Sequence, residues 1–334
     1  MCARTILVAV AAALWARSAV GLPLPDSTVM CSEDAEIAAP KQKAVQAAAE
    51  TFVEGVLGPD PGSAYDLLTA EAKALNTPEE FRARAVTMVS QVAPLTNVAV
   101  QHTYLIELSG NAPKFATCAG DLSRPDETSF VAVSSAKEQA HVIVGAKSRN
   151  NLLAFTLWLV PLNGAWLVQS YWMTLSTLGD KDSRQLRDLA RAQRAKGHDF
   201  NAALLYAAAR ETANRGPNFQ LGISRSISEE VSNLKLPPEL VGSSPFSWKD
   251  GPTTYVVLRV GPIAVAEKLY VIIAHEVAPG QSDAQLDDLN KRLFRYVKGR
   301  FPEYSEVFAG LVGRATERGT GRGFGSVEEL PSPH

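Results

Sequence analysis

"NLLAFTLWLVPLNGAWLVQSYW", residues 151–172, carries three tryptophans and no charged side chain, and its reading decides the fold of the first half of the chain. Asn163-Gly164 accepts the positive φ angles of a two-residue hairpin turn, so the stretch predicts two strands folded back on each other. Both faces of the first strand are apolar, which predicts a sheet covered on both sides. Pro161 and Gly164 interrupt the run, so it falls short of the roughly 20 apolar residues that span a bilayer as a helix.

Upstream, the hydrophobic period is two from Val98. In "VAVQHTYLIEL" (98–108), Val98, Val100, His102, Tyr104, Ile106 and Leu108 form one apolar face, with Gln101, Thr103 and Glu107 on the other. Further strands are predicted at 114–118, 129–134 and 140–147. Before these, helical spacing prevails. Val45, Ala48, Ala49, Phe52, Val53 and Val56 mark a helix from near Pro40, and a short one follows with Ala64, Tyr65, Leu67 and Leu68. A third opens at "TPEE" (77–80): Thr77 is the N-cap, Pro78 takes the first helical position and Glu80 completes a capping box. Phe81, Ala85, Met88 and Val89 are its buried stripe.

Three helices, then an antiparallel meander closed by an aromatic hairpin, resemble the nuclear transport factor-like or SnoaL-type cone. The likeness rests on "AAAETFVEGVL" (47–57), "SAYDLLTAEAKALNTPEEFRARAV" (63–86) and "LAFTLWLVPLNGAWLVQSYW" (153–172), and covers residues 40–176. It implies a curved sheet with helices over its concave side and a pocket at the open end. Tyr65, His102, Tyr104, Trp158, Trp166 and Trp172 are then the pocket-lining candidates, with core packing the plainer role for the tryptophans. Enzymes of this family often pair such a histidine with a carboxylate. That makes His102, Tyr104 and Asp66 the catalytic candidates, with Glu107 replacing Asp66 if the register slips; a satisfied structural histidine is the alternative.

Beyond residue 178 the pattern is helical again. Residues 180–215 read as a hairpin in which Leu186, Leu189 and Ala190, then Gly197, then Ala202, Tyr206 and Ala209 are similar to one tetratricopeptide unit; Gln193 and Asp199 depart from it. A single unit cannot bury its own face, so it must dock on the cone, on the C-terminal part or on another chain. Arg184, Arg187, Arg191 and Arg194 recur along one side of the first helix, either as a solvated face or as a surface for an acidic partner or anionic headgroups. Residues 216–334 read as a Pro/Gly/Ser-rich boundary, two strands, an amphipathic helix from Ser282 and a mobile tail, a small α/β part. The fold class is therefore α+β: cone, helical hairpin, then this C-terminal part.

The first 21 residues read as a secretory signal: Arg4, an apolar stretch over 6–16 and a small-x-small site at Ala19-Val20-Gly21. Residues 22–39 are an extended lead-in. Removing the leader removes Cys2 and leaves Cys31 and Cys118, an even number in an oxidising compartment; they form a disulfide, or stay as two unpaired thiols.

At 334 residues, net charge −2 and pI near 6.3, composition gives no support for a nucleic-acid partner. The five histidines stand far apart, there is no serine nucleophile elbow, and the glycine-rich "GTGRGFG" (319–325) is expected to follow a helix rather than a buried strand, so no metal or cofactor is implied. The resulting expectation is an exported binding or scaffold protein of a bacterial-type envelope, with an envelope protein or a small apolar molecule as partner and no transmembrane segment in the mature chain. The alternative is a cone-pocket isomerase, dehydratase or hydrolase of a small apolar substrate.

Overall fold

The computed structural model describes residues 28–118, 123–149 and 151–330, so the expected leader lies outside the described residues. Among the described residues the first half contains four α-helices: α1 (Ala39–Leu57), α2 (Gly62–Asp66), α3 (Ala70–Lys73) and α4 (Pro78–Val92). α1 buries Val45, Ala49, Phe52, Val53 and Val56, five of the six residues that its spacing singles out, and leaves Ala48 half-buried. α4 starts at the Thr77 N-cap, and both bonds of the Thr77–Glu80 capping box are present.

These helices cover one face of a five-stranded antiparallel sheet. Its strands are β1 (Thr28–Glu33), β2 (Thr96–Ser109), β5 (Glu138–Lys147), β6 (Leu152–Leu162) and β7 (Ala165–Leu175), in that order. Asn163 and Gly164 adopt φ of 53° and 82° in the β6–β7 turn, as the dipeptide predicts. Between β2 and β5 in sequence come β3 (Phe115–Cys118) and β4 (Ser129–Ala132), which lie over the sheet's other face.

Besides a slip at the start of β2, between Thr96 and Ala99, two bulges decide which side chains face which side. Gln101 is an extra residue in β2, between Val100 and His102. Gln169 is extra in β7, where Trp158 pairs with Ser170 and Leu159 with Val168. Each slip reverses the alternation beyond it. In β2, Val98, Val100 and Leu105 pack on the helix side, whereas Tyr104 and Ile106 enter the core on the opposite face. The single apolar face expected over 98–108 is thus corrected: it switches sides at Gln101. The tryptophans divide in the same way. Trp166 packs with the helix-side core, while Trp158 stacks on His141 on the other face, 5.3 Å between ring centroids.

That other face is covered by a three-stranded sheet in the order β10-β4-β3. The chain reaches it through β8 (Thr177–Leu178), β9 (Lys181–Asp182), α5 (Ser183–Ala195) and α6 (Asp199–Ala213), before β10 (Phe219–Leu221) pairs antiparallel to β4. A disulfide joins Cys31 of β1 to Cys118 of β3, tying the two sheets together with Cys118 fully buried.

After β10 come α7 (Ile223–Ser232), β11 (Phe246–Asp250), β12 (Thr253–Val265), β13 (Lys268–Val277), α8 (Asp283–Arg300), β14 (Gly310–Glu317) and β15 (Gly323–Glu329). Strands β11 to β15 form one sheet in sequence order. Its β13–β14 pair is parallel, which requires the crossover that α8 supplies. Residues 323–329, expected in a mobile tail, instead pair with β14 as the edge strand. The helical hairpin docks on this C-terminal sheet: Leu186, Phe200 and Leu205 share one core with Trp248, Val257, Ile273 and Phe294. The chain is thus mixed α+β, and among the described residues no helix is long and apolar enough to cross a membrane.

Candidate functional site

On the helix side, a cavity of about 340 Å³ opens between α3, α4 and β7. Leu68, Phe81, Met88, Tyr171 and Met173 make its walls apolar, and exposed Arg84 stands at its rim. The Gln169 bulge produces this lining, because it turns Tyr171 and Met173 toward the helices. Trp172 is the one expected pocket residue on its lining, and it is 48% exposed. Tyr65 instead donates its hydroxyl to the Asn76 carbonyl (3.0 Å), which closes the α2–α3 segment.

His102 and Tyr104 lie on the opposite face, in a polar cavity of about 420 Å³ that also includes Glu33, Ser129, Arg184 and Arg215. The carboxylates beside His102 come from the lead-in: Asp34 Oδ2 is 3.1 Å and Glu33 Oε1 3.6 Å from Nδ1. Asp34 is fixed by the Thr103 N–H, which donates to its Oδ1 at 2.8 Å. Burial pushes the Glu33 carboxyl up, opposed by a hydrogen bond from the Tyr104 hydroxyl. Burial likewise raises the Tyr104 phenol, which also meets Ser129. Glu33, Asp34 and His102 bring three ligand-type atoms within 4.8 Å of one another, the one grouping of this kind among the described residues. Both Asp34 oxygens already meet protein partners, so the group reads as a hydrogen-bonded cap over the β1–α1 junction.

The expected catalytic set is not assembled. Asp66 is exposed on α2, across the sheet from His102, and its carbonyl accepts from Lys73 Nζ at 3.1 Å. Glu107 pairs with Lys41 at 3.1 Å. Glu33 and Asp34 were invisible as partners because β1 reads as an aperiodic lead-in, and only strand pairing brings Glu33 opposite Tyr104.

The arginine stripe is mostly consumed within the chain. Arg187 is buried, its side chain 5% exposed, in an ion pair with Asp126 and a hydrogen bond to Ser226 Oγ (3.1 Å). Arg191 holds Glu230 of α7 through two bonds of 2.9 and 2.6 Å, and Arg194 donates to the Asn233 carbonyl at 3.1 Å. Arg184 is exposed. A face expected to meet solvent or an outside partner is therefore largely an internal seam against α7, whose sequence reads as a linker. Compared with family models, curated proteins and solved structures, the chain matches none.

Proposed function

We propose that this is an exported binding protein whose helix-side cavity receives a small, mainly apolar molecule, with Arg84 meeting an anionic end. The cavity itself carries the reading: it is concave, about 340 Å³ and apolar, with few polar groups around it, which is the usual character of a small-molecule site. In this reading residues 40–176 are a nuclear transport factor-like cone and residues 1–21 an export leader. The Cys31–Cys118 disulfide supports an oxidising compartment. Helices on one face and bulged strands support the cone. The tetratricopeptide-like hairpin acts as a brace between the two halves. A cone-pocket enzyme gains no support, because His102 and Tyr104 line a different cavity on the other face of the sheet.

Native mass spectrometry of protein from the expressing host tests both parts, with a mature mass starting near Leu22 and a retained small adduct expected. Ala72 lies on the cavity lining and is 8% exposed, so Ala72→Trp fills the space. Decanoate should raise the melting temperature of the wild type, by preferential binding to the folded state, and not that of Ala72→Trp. No adduct and no shift with decanoate would sink the binding reading.

A further inference from the structure

Tyr171 brings a hydroxyl into the wall of the apolar cavity, and that hydroxyl makes no hydrogen bond among the described residues. Its ring is fixed in place. Phe52 and Phe81 pack edge-on against it, with centroids at 5.0 and 6.0 Å, which holds it on the helix side of the sheet. Residues 170–172 also border a smaller cavity on the other face, but the charged side chain that acts on the phenol is Arg84, which lines the helix-side cavity. The phenol oxygen is not sealed inside the protein, so a bound molecule can reach it. A phenylalanine here would supply the same packing. A hydroxyl in an apolar wall costs free energy unless something bound beside it provides the partner.

Arg84 is the second polar group left open. It lines the same cavity and makes neither an ion pair nor a hydrogen bond among the described residues. Glu80, one turn earlier on α4, feels its charge, but that carboxylate is held in the Thr77 capping box at 2.9 Å from the Thr77 N–H. No acidic side chain lines the cavity among the described residues. Burial raises the Tyr171 phenol, so at neutral pH the group is a donor. Arg84 also donates, and it carries a positive charge. The two groups together match an anionic acceptor, while Leu68, Phe81, Met88 and Met173 match hydrocarbon beside it.

We propose that the cavity selects an aliphatic carboxylate over a neutral molecule of the same length, and that Tyr171 reads the headgroup: its phenol donates to a carboxylate oxygen, and Arg84 balances the charge. This rests on the cavity being a small-molecule site, and adds which headgroup is chosen and by which side chain. A hydrogen bond to an ionised oxygen is roughly twice as strong as one to a neutral oxygen, so the choice is made at the head and not along the chain. The Gln169 bulge is what permits it, because without that extra residue position 171 faces the other side of the sheet.

Calorimetry on the full protein at pH 7 tests the assignment, with decanoate and decanol as probes. Decanoate is ionised at this pH and decanol is neutral. The wild type should bind decanoate about 10-fold more tightly than decanol. Tyr171→Phe keeps the ring contacts and should reduce that preference to about 3-fold, whereas a packing role alone would leave the ratio unchanged. Arg84→Met should narrow the ratio by a similar factor, with near-ultraviolet circular dichroism reporting that both variants are folded. Ala72→Trp should abolish binding of both probes, which places them in the cavity. Equal affinities for the two probes in the wild type, or an unchanged ratio in either headgroup variant, would overturn the assignment and leave the cavity as a site for apolar molecules. Binding of neither probe by the wild type, or undiminished binding in Ala72→Trp, would overturn the small-molecule reading itself, and this assignment with it.

Discussion

Acid should destabilise this protein in large part through one buried imidazole. His141 is fully enclosed between Trp158 and Phe219, with ring centroids at 5.3 and 5.9 Å, and burial pushes its pKa down from 6.5 to about 4. Well above pH 6.5 neither the folded nor the unfolded chain protonates this ring, and stability is at its full value. As the pH falls from 6.5 toward 4, the unfolded chain takes up a proton that the folded chain refuses. Stability then drops by up to about 1.4 kcal/mol per pH unit, a loss on the order of 2 to 3 kcal/mol by pH 4.5. His275, also lowered by burial, adds a loss of the same sign. The His141→Gln variant keeps a hydrogen-bond donor and cannot titrate. Urea denaturation of wild type and variant at pH 7.5 and 4.5 isolates the histidine, because the carboxylate contributions common to both cancel. The variant should begin less stable, yet its loss between the two pH values should be smaller than the wild type's by roughly 2 to 3 kcal/mol. Equal losses would refute the argument, since they would mean that the folded ring protonates as readily as the unfolded one.

Arg187→Ala strands Asp126 in a part-buried site and should cost about 3 to 5 kcal/mol in urea denaturation, whereas Arg184→Ala should stay within about 0.5 kcal/mol of wild type. Comparable effects of the two would mean that the Arg187–Asp126 pair is not the buried seam described. The disulfide spans 87 residues in sequence, so in the chain-entropy model its loss in Cys31→Ala/Cys118→Ala should lower stability by roughly 4 to 5 kcal/mol. A double variant with an unchanged urea midpoint would show that the unfolded chain is not constrained by the link.

The local features of this chain were decided by its sequence. Helix α1, the Thr77–Glu80 capping box, the Asn163-Gly164 turn and the Ser282 cap of α8 all rest on interactions within a few residues, where side-chain type fixes backbone geometry with little outside help. Pairing of Cys31 with Cys118 was one of two readings open in the sequence, and strand contacts chose it. Site chemistry was decided at long range. A single inserted residue at Gln101 or Gln169 changes no composition and barely alters the hydrophobic pattern, yet it reverses every later side chain, sending Tyr104 away from the helices and turning Tyr171 toward them. Glu33 and Asp34 became the partners of His102 only because an aperiodic segment paired as an edge strand. Arg187 became a buried ion, where its helical period suggested solvent, because α7 and the turn carrying Asp126 fold over it from remote parts of the chain. Periodicity reports how a residue relates to its own element; which element covers it, and with what charge, is a property of the packed molecule.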